Sequence, residues 1–256
     1  QYPSVIPCFG LHPWFIEERT PNWFVTLKEY FEATPSAAVG EIGLDKGSHG
    51  KKIDFGDQVE VFQKQLELAK QLNKPVSVHC VRAFGDLLEI MKNTGPFPAG
   101  VILHSFLGSA EMVPEYAKLG AYFSFSGFLM SMKVQKAKKM LKAVPSDRIL
   151  LETDAPDALP TVDVDSLFAV DEDQPVSEEV QSHGEFSVSE PADHSQRSND
   201  SSPVPKQTLN HPANIHNVLN YVSSLLEVSK EELADTTYQN AVRLFSYKGS
   251  KLSESC

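Results

Sequence analysis

Cysteine is scarce in this sequence, and the three cysteines stand far apart. Cys8, Cys80 and Cys256 are the only ones among 256 residues, and none lies in a Cys-x-x-Cys spacing. A disulfide framework and a cysteine-ligated zinc finger are therefore excluded. This usage is typical of a reducing intracellular compartment, and we expect a cytoplasmic or nuclear protein.

Long apolar runs are absent as well. No stretch approaches the roughly 20 apolar residues that a transmembrane helix needs, so we expect no membrane association. The chain opens on Gln1 and enters an apolar segment at once. We therefore expect residues upstream of Gln1 to be missing, and a targeting segment among them stays an open alternative.

Sequence motifs of two large enzyme classes are also missing. The chain contains neither a glycine-rich phosphate loop nor a Gly-x-Ser-x-Gly nucleophile elbow. The first absence argues against a P-loop nucleotidase, and the second argues against an α/β-hydrolase. Nucleophilic serine chemistry therefore has no support in the sequence.

Basic residues are outnumbered, but the acidic excess is local. The chain carries 23 Lys and Arg against 34 Asp and Glu, a net charge of −11. Residues 161–206 hold eleven carboxylates against Arg197 and Lys206, which accounts for −9 of that charge. This Ser-rich segment lacks apolar periodicity, so we expect a disordered insertion, either a solvated loop or a regulatory, partner-binding one.

For the remaining chain, two bound divalent cations would make the active face positive and attract phosphate.

Six short apolar segments alternate with longer stretches of helical periodicity. Such alternation predicts parallel strands joined by crossover helices, and continuous apolar strands are typical of a sheet that is covered on both faces. We therefore expect one (β/α) barrel domain of the TIM type over residues 1–256, with the acidic insertion inside it. The predicted strands are residues 5–10, 37–43, 75–79, 100–104, 121–126 and 149–153.

Apolar stripes at helical spacing predict three helices between these strands, over about residues 23–31, 59–72 and 84–91. Two further helices should close the chain, and a capping box from Ser229 to Glu232 should open the second of them. A lysine-rich run over residues 132–142 fits either a solvated amphipathic helix face or a source of positive charge near a substrate.

Residues that bind metals stand at the ends of four predicted strands. They are Glu41, His79, His104 and Asp154. The carboxyl ends of all strands in a parallel barrel converge on one mouth, so these four side chains should be neighbours in space. Carboxylate oxygens and imidazole nitrogens are ligands that zinc, manganese or magnesium accept. A single such residue is more often a capping or core residue, but four in this arrangement predict a metal site.

The ordered set of strand-end motifs resembles the TatD-related deoxyribonucleases. The resemblance covers the chain apart from the acidic insertion, and it includes a C-terminal stretch from Asn210 to Phe245. The other motifs that carry it are Gly10-Leu-His12-Pro13, Gly40-Glu41-Ile-Gly-Leu-Asp45, Pro75-Val-Ser-Val-His79, His104-Ser-Phe, Ser124-Phe-Ser-Gly127 and Glu152-Thr-Asp154-Ala-Pro156.

The resemblance implies a barrel hydrolase with two divalent metal ions, magnesium, manganese or zinc, that cleaves phosphodiester bonds at DNA ends as an exonuclease. It implies that Glu41 is shared between the two metal sites and that His79 and His104 hold one ion. It also implies that Asp154 binds the other ion and takes a proton from the attacking water. DNA is then the expected partner, and we expect no stable protein partner.

Two substrate-binding residues are expected beside the metal ligands. His12 follows the first predicted strand, where it could contact a phosphate, although a capping or packing histidine is an equal alternative. Arg82 stands at the third position after His79, whereas the family pattern leads us to expect a basic residue at the second.

One family motif has no counterpart here. Members begin with a strand that carries His-x-His-x-Asp, and no such motif occurs in this sequence. We therefore expect an N-terminally truncated barrel without its first strands, with unpaired strand edges. Alternatives are an inactive truncated isoform or fragment with residual metal binding, and a related barrel hydrolase that acts on an amide or a small phosphoester.

Overall fold

A computed structural model describes residues 5–162, 167, 169–171 and 208–252, and its main feature is a six-stranded parallel sheet. The strands pair in the order in which they occur in the sequence, from β1 to β6. The six predicted strands are therefore confirmed, and each of the first five is followed by a crossover to its parallel neighbour. Their bounds are β1 Cys8–Phe9, β2 Ala38–Asp45, β3 Val76–Val81, β4 Val101–Leu103, β5 Ala121–Phe125 and β6 Ile149–Leu151.

Seven α-helices accompany the sheet in the described part of the chain. The five helices that we predicted from apolar periodicity or a capping box are α1, α2, α3, α6 and α7, and all are present. The lysine-rich run forms α5. The bounds are α1 Trp23–Ala33, α2 Phe55–Leu72, α3 Phe84–Thr94, α4 Val113–Lys118, α5 Val134–Ala143, α6 Ile215–Leu226 and α7 Lys230–Phe245.

Local sequence signals set several of the helix ends. At the start of α2, the Asp54 side chain accepts a hydrogen bond from the Asp57 backbone N–H at 2.8 Å. At its end, Asn73 adopts a left-handed conformation that a short polar side chain tolerates. Ser229 caps α7 as predicted, because Ser229 Oγ accepts from the Glu232 backbone N–H at 3.1 Å.

One continuous apolar core lies between the sheet and its helices. Alternate residues of β2 to β5 contribute fully buried side chains, including Val78, Leu103 and Phe123. Phe62 and Leu66 of α2 belong to the same cluster. The residues that alternate with these along the strands form a second, smaller cluster with α7, namely Ile102, Tyr122, Leu150 and Leu244. Burial of strand residues on both faces is the reason that these segments are continuously apolar in the sequence.

Gly43 allows β2 and β3 to approach closely beside the predicted metal ligands. Its φ angle is +155°, and a Cβ atom at this position would lie 1.9 Å from the His79 carbonyl oxygen. Only glycine fits such an approach. The pairing of Gly43 with His79 in the parallel register depends on this missing side chain.

A small antiparallel ribbon stands at the base of the acidic segment. Strand β7, Ala169–Asp171, pairs with β8, Thr208–Asn210. Three residues of the segment that we predicted as disordered therefore form a strand, and most of the remainder of that prediction lies outside the described residues. Within the described ranges, no helix is both long enough and apolar enough to cross a membrane.

Candidate metal centre

The four predicted metal ligands line one cleft at the carboxyl side of the sheet. Glu41 lies in β2 and His79 in β3, whereas His104 directly follows β4 and Asp154 follows β6. All four side chains face an open cleft of about 580 Å³. Residues that are far apart in the sequence are thus brought together by the parallel arrangement of the strands.

Glu41 occupies the middle of this group. Its Oε1 atom lies 3.1 Å from His79 Nδ1 and 3.5 Å from His104 Nε2. On the far side, His104 Nε2 lies 3.3 Å from Asp154 Oδ1. The four side chains therefore form a continuous row, in the order His79, Glu41, His104 and Asp154.

Each imidazole in the row is backed by a second carboxylate. His79 Nε2 lies 3.3 Å from Asp45 Oδ2, and His104 Nδ1 lies 3.0 Å from Glu152 Oε1. A carboxylate behind an imidazole fixes the orientation of the ring and is the usual companion of a metal-binding histidine. Sequence reasoning did not assign Asp45 or Glu152, although both belong to the motifs that contain Glu41 and Asp154.

Serine side chains hold Glu152 in place. The Ser105 backbone N–H donates to Glu152 Oε1 at 2.6 Å, and Ser105 Oγ donates to the same atom at 2.9 Å. Ser124 Oγ donates to Glu152 Oε2 at 2.6 Å. Together with His104, these donors satisfy the hydrogen-bonding capacity of the Glu152 carboxylate.

The loop that carries Asp154 is fastened by a residue from the other side of the acidic segment. Asn210 Nδ2 donates to the carbonyl oxygens of Thr153 and Asp157, at 2.8 Å each. Asn210 is 3% exposed, and its backbone N–H donates to Pro156 O at 2.8 Å. The carbonyls on both sides of Asp154 are thus held by one side chain.

The excess of carboxylates shifts the protonation equilibria in the cleft. Burial opposes the charged form of His104, but the charge of Glu152, together with those of Glu41 and Asp154, raises its pKa to about 10. Burial also opposes ionisation of Glu41, yet its hydrogen bond to His79 and the nearby imidazolium charges lower its pKa. For Asp154 burial prevails, and its pKa rises to about 6 despite the charge of His104.

The His79 and Asp45 pair follows the same pattern. Burial disfavours protonated His79, but hydrogen bonds to Asp45 and Glu41 outweigh burial and raise its pKa. Burial likewise disfavours ionised Asp45, whereas its hydrogen bonds to His79 and Trp14 bring its pKa down to about 2. The site therefore stabilises positive charge strongly, as a cation-binding site must.

His12 stands at the His79 end of the row. Its Nε2 atom lies 3.8 Å from Glu41 Oε1, and its ring lies edge-on to His79 with centroids 4.5 Å apart. One donor atom from each of His12, Glu41 and His79 lies within 4.8 Å of the others. Burial, and then the charge of His79, lower the pKa of His12 to about 4, so its ring is neutral near pH 7.

The backbone fixes the tautomer of His12. Its Nδ1 atom accepts a hydrogen bond from the Trp14 backbone N–H at 3.2 Å and caps a short 3-10 helix, Pro13–Glu18. The proton of the neutral ring is therefore on Nε2, the atom that faces Glu41. His12 therefore caps this helix and also faces the mouth of the barrel, so both of the roles that we considered for it are present.

Arg82, the other predicted substrate contact, also lines the cleft. It has a φ angle of +55°, immediately after β3. Its guanidinium adds a positive charge to a wall that is otherwise largely apolar.

The donor set fits a divalent cation. Glu41 supplies an oxygen between a nitrogen of His79 and a nitrogen of His104, and Asp154 supplies a further oxygen beside His104. Donor atoms of His12, Glu41 and His79 lie closest together as a set of three. Hard oxygen and borderline nitrogen donors suit magnesium, manganese or zinc. The backed imidazoles give this set the preorganisation that metal sites need.

Comparisons with known proteins agree with this geometry. A family model described as TatD related DNase matches residues 1–246. An "Uncharacterized metal-dependent hydrolase YabD" from Bacillus subtilis is 30% identical over 245 residues, which cover 96% of this chain and 79% of that protein. A "3'-5' ssDNA/RNA exonuclease TatD" from Pantoea vagans is 27% identical and is matched over 92% of this chain and 76% of its own length.

A solved structure shows the same fold. The crystal structure of YJJV, a TatD homolog from Escherichia coli K12, is similar with a TM-score of 0.71 at 23% sequence identity, and the match covers 96% of this chain and 79% of that one. The parallel sheet is thus of the TIM-barrel type that we predicted. The chain belongs to the TatD-related DNase family, and it is a metal-dependent hydrolase that acts on ester bonds.

Proposed function

We propose that this protein hydrolyses phosphodiester bonds of DNA and removes nucleotides from a strand end. The convergence of Glu41, His79, His104 and Asp154 in one cleft carries the proposal. The name of the Pantoea vagans relative, an exonuclease that acts on single-stranded DNA and RNA, supports the substrate class. RNA is therefore the second substrate to test.

We assign Glu41, His79 and His104 to one metal site and Asp154, with Glu41, to a second. Magnesium, manganese or zinc bound there would polarise the phosphoryl group and lower the pKa of a water molecule. Asp154 accepts the proton of the attacking water, and the Asn210 hydrogen bonds keep its loop in place for this transfer. Glu41 lies between the two proposed metal sites, and its carboxylate would bind the ion in each.

His12 and Arg82 are assigned to the phosphate. Because His12 Nδ1 accepts from the backbone, His12 Nε2 carries a proton and can donate it in a hydrogen bond to a phosphoryl oxygen. This assignment favours substrate binding over metal ligation by His12, since a metal would need the lone pair of that same nitrogen. Arg82 supplies the positive charge at the wall of the cleft.

Hydrolysis of a labelled single-stranded oligodeoxynucleotide with Mg²⁺ or Mn²⁺ tests the proposal. We expect stepwise shortening from one end, loss of activity with a chelator, and a loss of roughly 10²-fold or more in Asp154→Asn. Asp147→Asn is the matched control, because Asp147 precedes the same strand at its opposite end. Full activity in Asp154→Asn would remove Asp154 from the mechanism, and inertness of the wild type toward both DNA and RNA would refute the nuclease function.

A further inference from the structure

Two exposed aromatic side chains stand at opposite ends of the metal-ligand row. Trp14 lies at the His79 end and is 37% exposed, and Phe128 lies at the Asp154 end and is 43% exposed. Both line the same cleft as the ligands. Their place in this cleft, and not their exposure alone, is the reason to ask what they bind, because aromatic side chains with a few polar groups are the usual lining of a ligand site.

Trp14 is held rigidly. Its Nε1–H donates to Asp45 Oδ2 at 2.5 Å, and Asp45 in turn contacts His79. The indole packs against the His49 ring with centroids 4.5 Å apart and an interplanar angle of 34°. The side chain is therefore already in place before a ligand arrives, which lowers the entropy cost of binding.

Phe128 is fixed from the Asp154 side. It follows β5 in a short 3-10 helix, Gly127–Ser131, and its backbone N–H donates to Ser126 Oγ at 3.4 Å. Gly127 packs so tightly against the Asp154 loop that a Cβ atom there would lie 2.0 Å from the Ala158 carbonyl oxygen. The position of Phe128 is thus coupled to the loop that carries Asp154.

The cleft between the two rings has two chemical characters. Its floor consists of the carboxylates and imidazoles, and its walls include Phe84 and Leu107 together with the cation of Arg82. A phosphate group alone would interact with the groups on the floor and with Arg82, but it would gain nothing from contact with aromatic walls. A volume of about 580 Å³ suits a ligand of one or two nucleotides and not the full width of a duplex.

We propose that Trp14 and Phe128 form a base clamp, in which each ring stacks on an unpaired nucleobase on one side of the phosphate. The clamp rests on the proposed nuclease function and adds the residues that select single strands. Bases in a duplex are already stacked and paired, so they must first be extruded to reach these rings.

Equilibrium binding to an oligothymidylate tests the clamp, with the same strand carrying abasic sites at its two terminal positions as the comparison. The titrations use Mg²⁺ and proteins that carry Asp154→Asn, and gel analysis checks that the strands stay intact. In Trp23→Phe protein, Trp14 is the sole tryptophan, so we expect the base-bearing strand to quench its fluorescence and the abasic strand to quench it far less.

Substitutions separate stacking from simple damage. Trp14→Leu and Phe128→Leu should each raise the Kd of the base-bearing strand roughly 5- to 140-fold, the range for loss of one base stack. Both should affect the abasic strand much less, and Trp14→Phe should restore most of the affinity because it keeps a ring. Tyr238→Leu is the matched control, since Tyr238 is 64% exposed and lies outside the cleft.

The outcomes distinguish the clamp from the nuclease function. Equal weakening of both strands in Trp14→Leu and Phe128→Leu, or no weakening, would overturn the clamp even if the wild type cleaves DNA. Equal affinity of the wild type for duplex and single strands would overturn it too. Base-dependent binding in a protein that hydrolyses nothing would support the clamp and overturn the nuclease proposal alone.

Discussion

Replacement of Asn210 by alanine is the sharpest probe of how the Asp154 loop is held. The Asn210 side chain donates two hydrogen bonds of 2.8 Å to carbonyls on either side of Asp154. Its Oδ1 atom also accepts from the His211 backbone N–H and from Asn214 Nδ2. With a net worth of about 1 kcal/mol for each bond, Asn210→Ala should destabilise the protein by ~4 kcal/mol. At ~2–4 °C per kcal/mol for a chain of this size, the Tm should fall by roughly 8–16 °C.

The catalytic effect should exceed what stability alone causes. A carboxylate that moves by about 1 Å can lose ~10²-fold in rate, so the kcat of folded Asn210→Ala should fall by that order. Urea denaturation and nuclease kinetics below the unfolding transition measure the two effects separately. Asn210→Asp should behave similarly, because it keeps the size but loses the donors, and Asn93→Ala on the exposed face of α3 should change neither quantity. Wild-type stability and kcat in Asn210→Ala would refute this account of the loop.

Three further predictions concern the framework of the site. Asp45→Ala should weaken metal binding by about 10- to 100-fold in calorimetric titrations, because His79 loses the carboxylate that orients it; unchanged affinity would count against that role. Gly43→Ala should lower the Tm strongly, since its Cβ would collide with the His79 carbonyl, and a Tm equal to that of the wild type would contradict the close approach of β2 and β3. Replacement of residues 172–207 by Asn-Gly, which joins β7 to β8 in a tight hairpin turn, should leave hydrolysis intact, whereas its loss would show that the acidic segment takes part.

The strands were predictable because burial on both faces leaves a plain signature. Short runs rich in β-branched residues, such as Val76-Ser-Val78, between helices of clear periodicity favour buried strands. The ends were less well defined, since β2 continues to Asp45, two residues beyond the predicted end. A strand end depends on the register of its neighbour, and the local sequence does not encode that register.

The ribbon at the base of the acidic segment had no such signature. Strands β7 and β8 have three residues each. Three residues are too few for any periodicity to emerge, and the surrounding composition is that of a disordered chain. The pairing of Ala169 with Asn210 is a long-range contact that only the folded chain reveals.

The row of candidate ligands could be predicted because the order and direction of the strands alone bring these residues together. Strand ends in a parallel barrel meet, so Glu41, His79, His104 and Asp154 could be grouped without coordinates. The sequence could not predict which nitrogen of each imidazole faces the cleft, because that depends on the carboxylates behind the rings. The structure presents Nδ1 of His79 but Nε2 of His104 to Glu41.

Asn210 illustrates the limit of reasoning from sequence. It lies more than fifty residues after Asp154, beyond the acidic segment, and an isolated Asn before His-Pro carries no sign of its partners. The C-terminal resemblance drew attention to this stretch as a whole. Its specific task, to hold the carbonyls around Asp154, is a property of the packed chain.

The central claim is that Glu41 lies between the imidazoles and Asp154 and is a ligand shared by the two metal sites. Calorimetric titration of the metal-free protein with Mn²⁺ tests it most directly, with Glu41→Gln beside the wild type and Glu29→Gln, on the exposed face of α1, as control. The account predicts that wild type and Glu29→Gln bind Mn²⁺ alike and that Glu41→Gln loses most of this affinity. Equal Mn²⁺ binding by all three proteins, or none by the wild type, would contradict it.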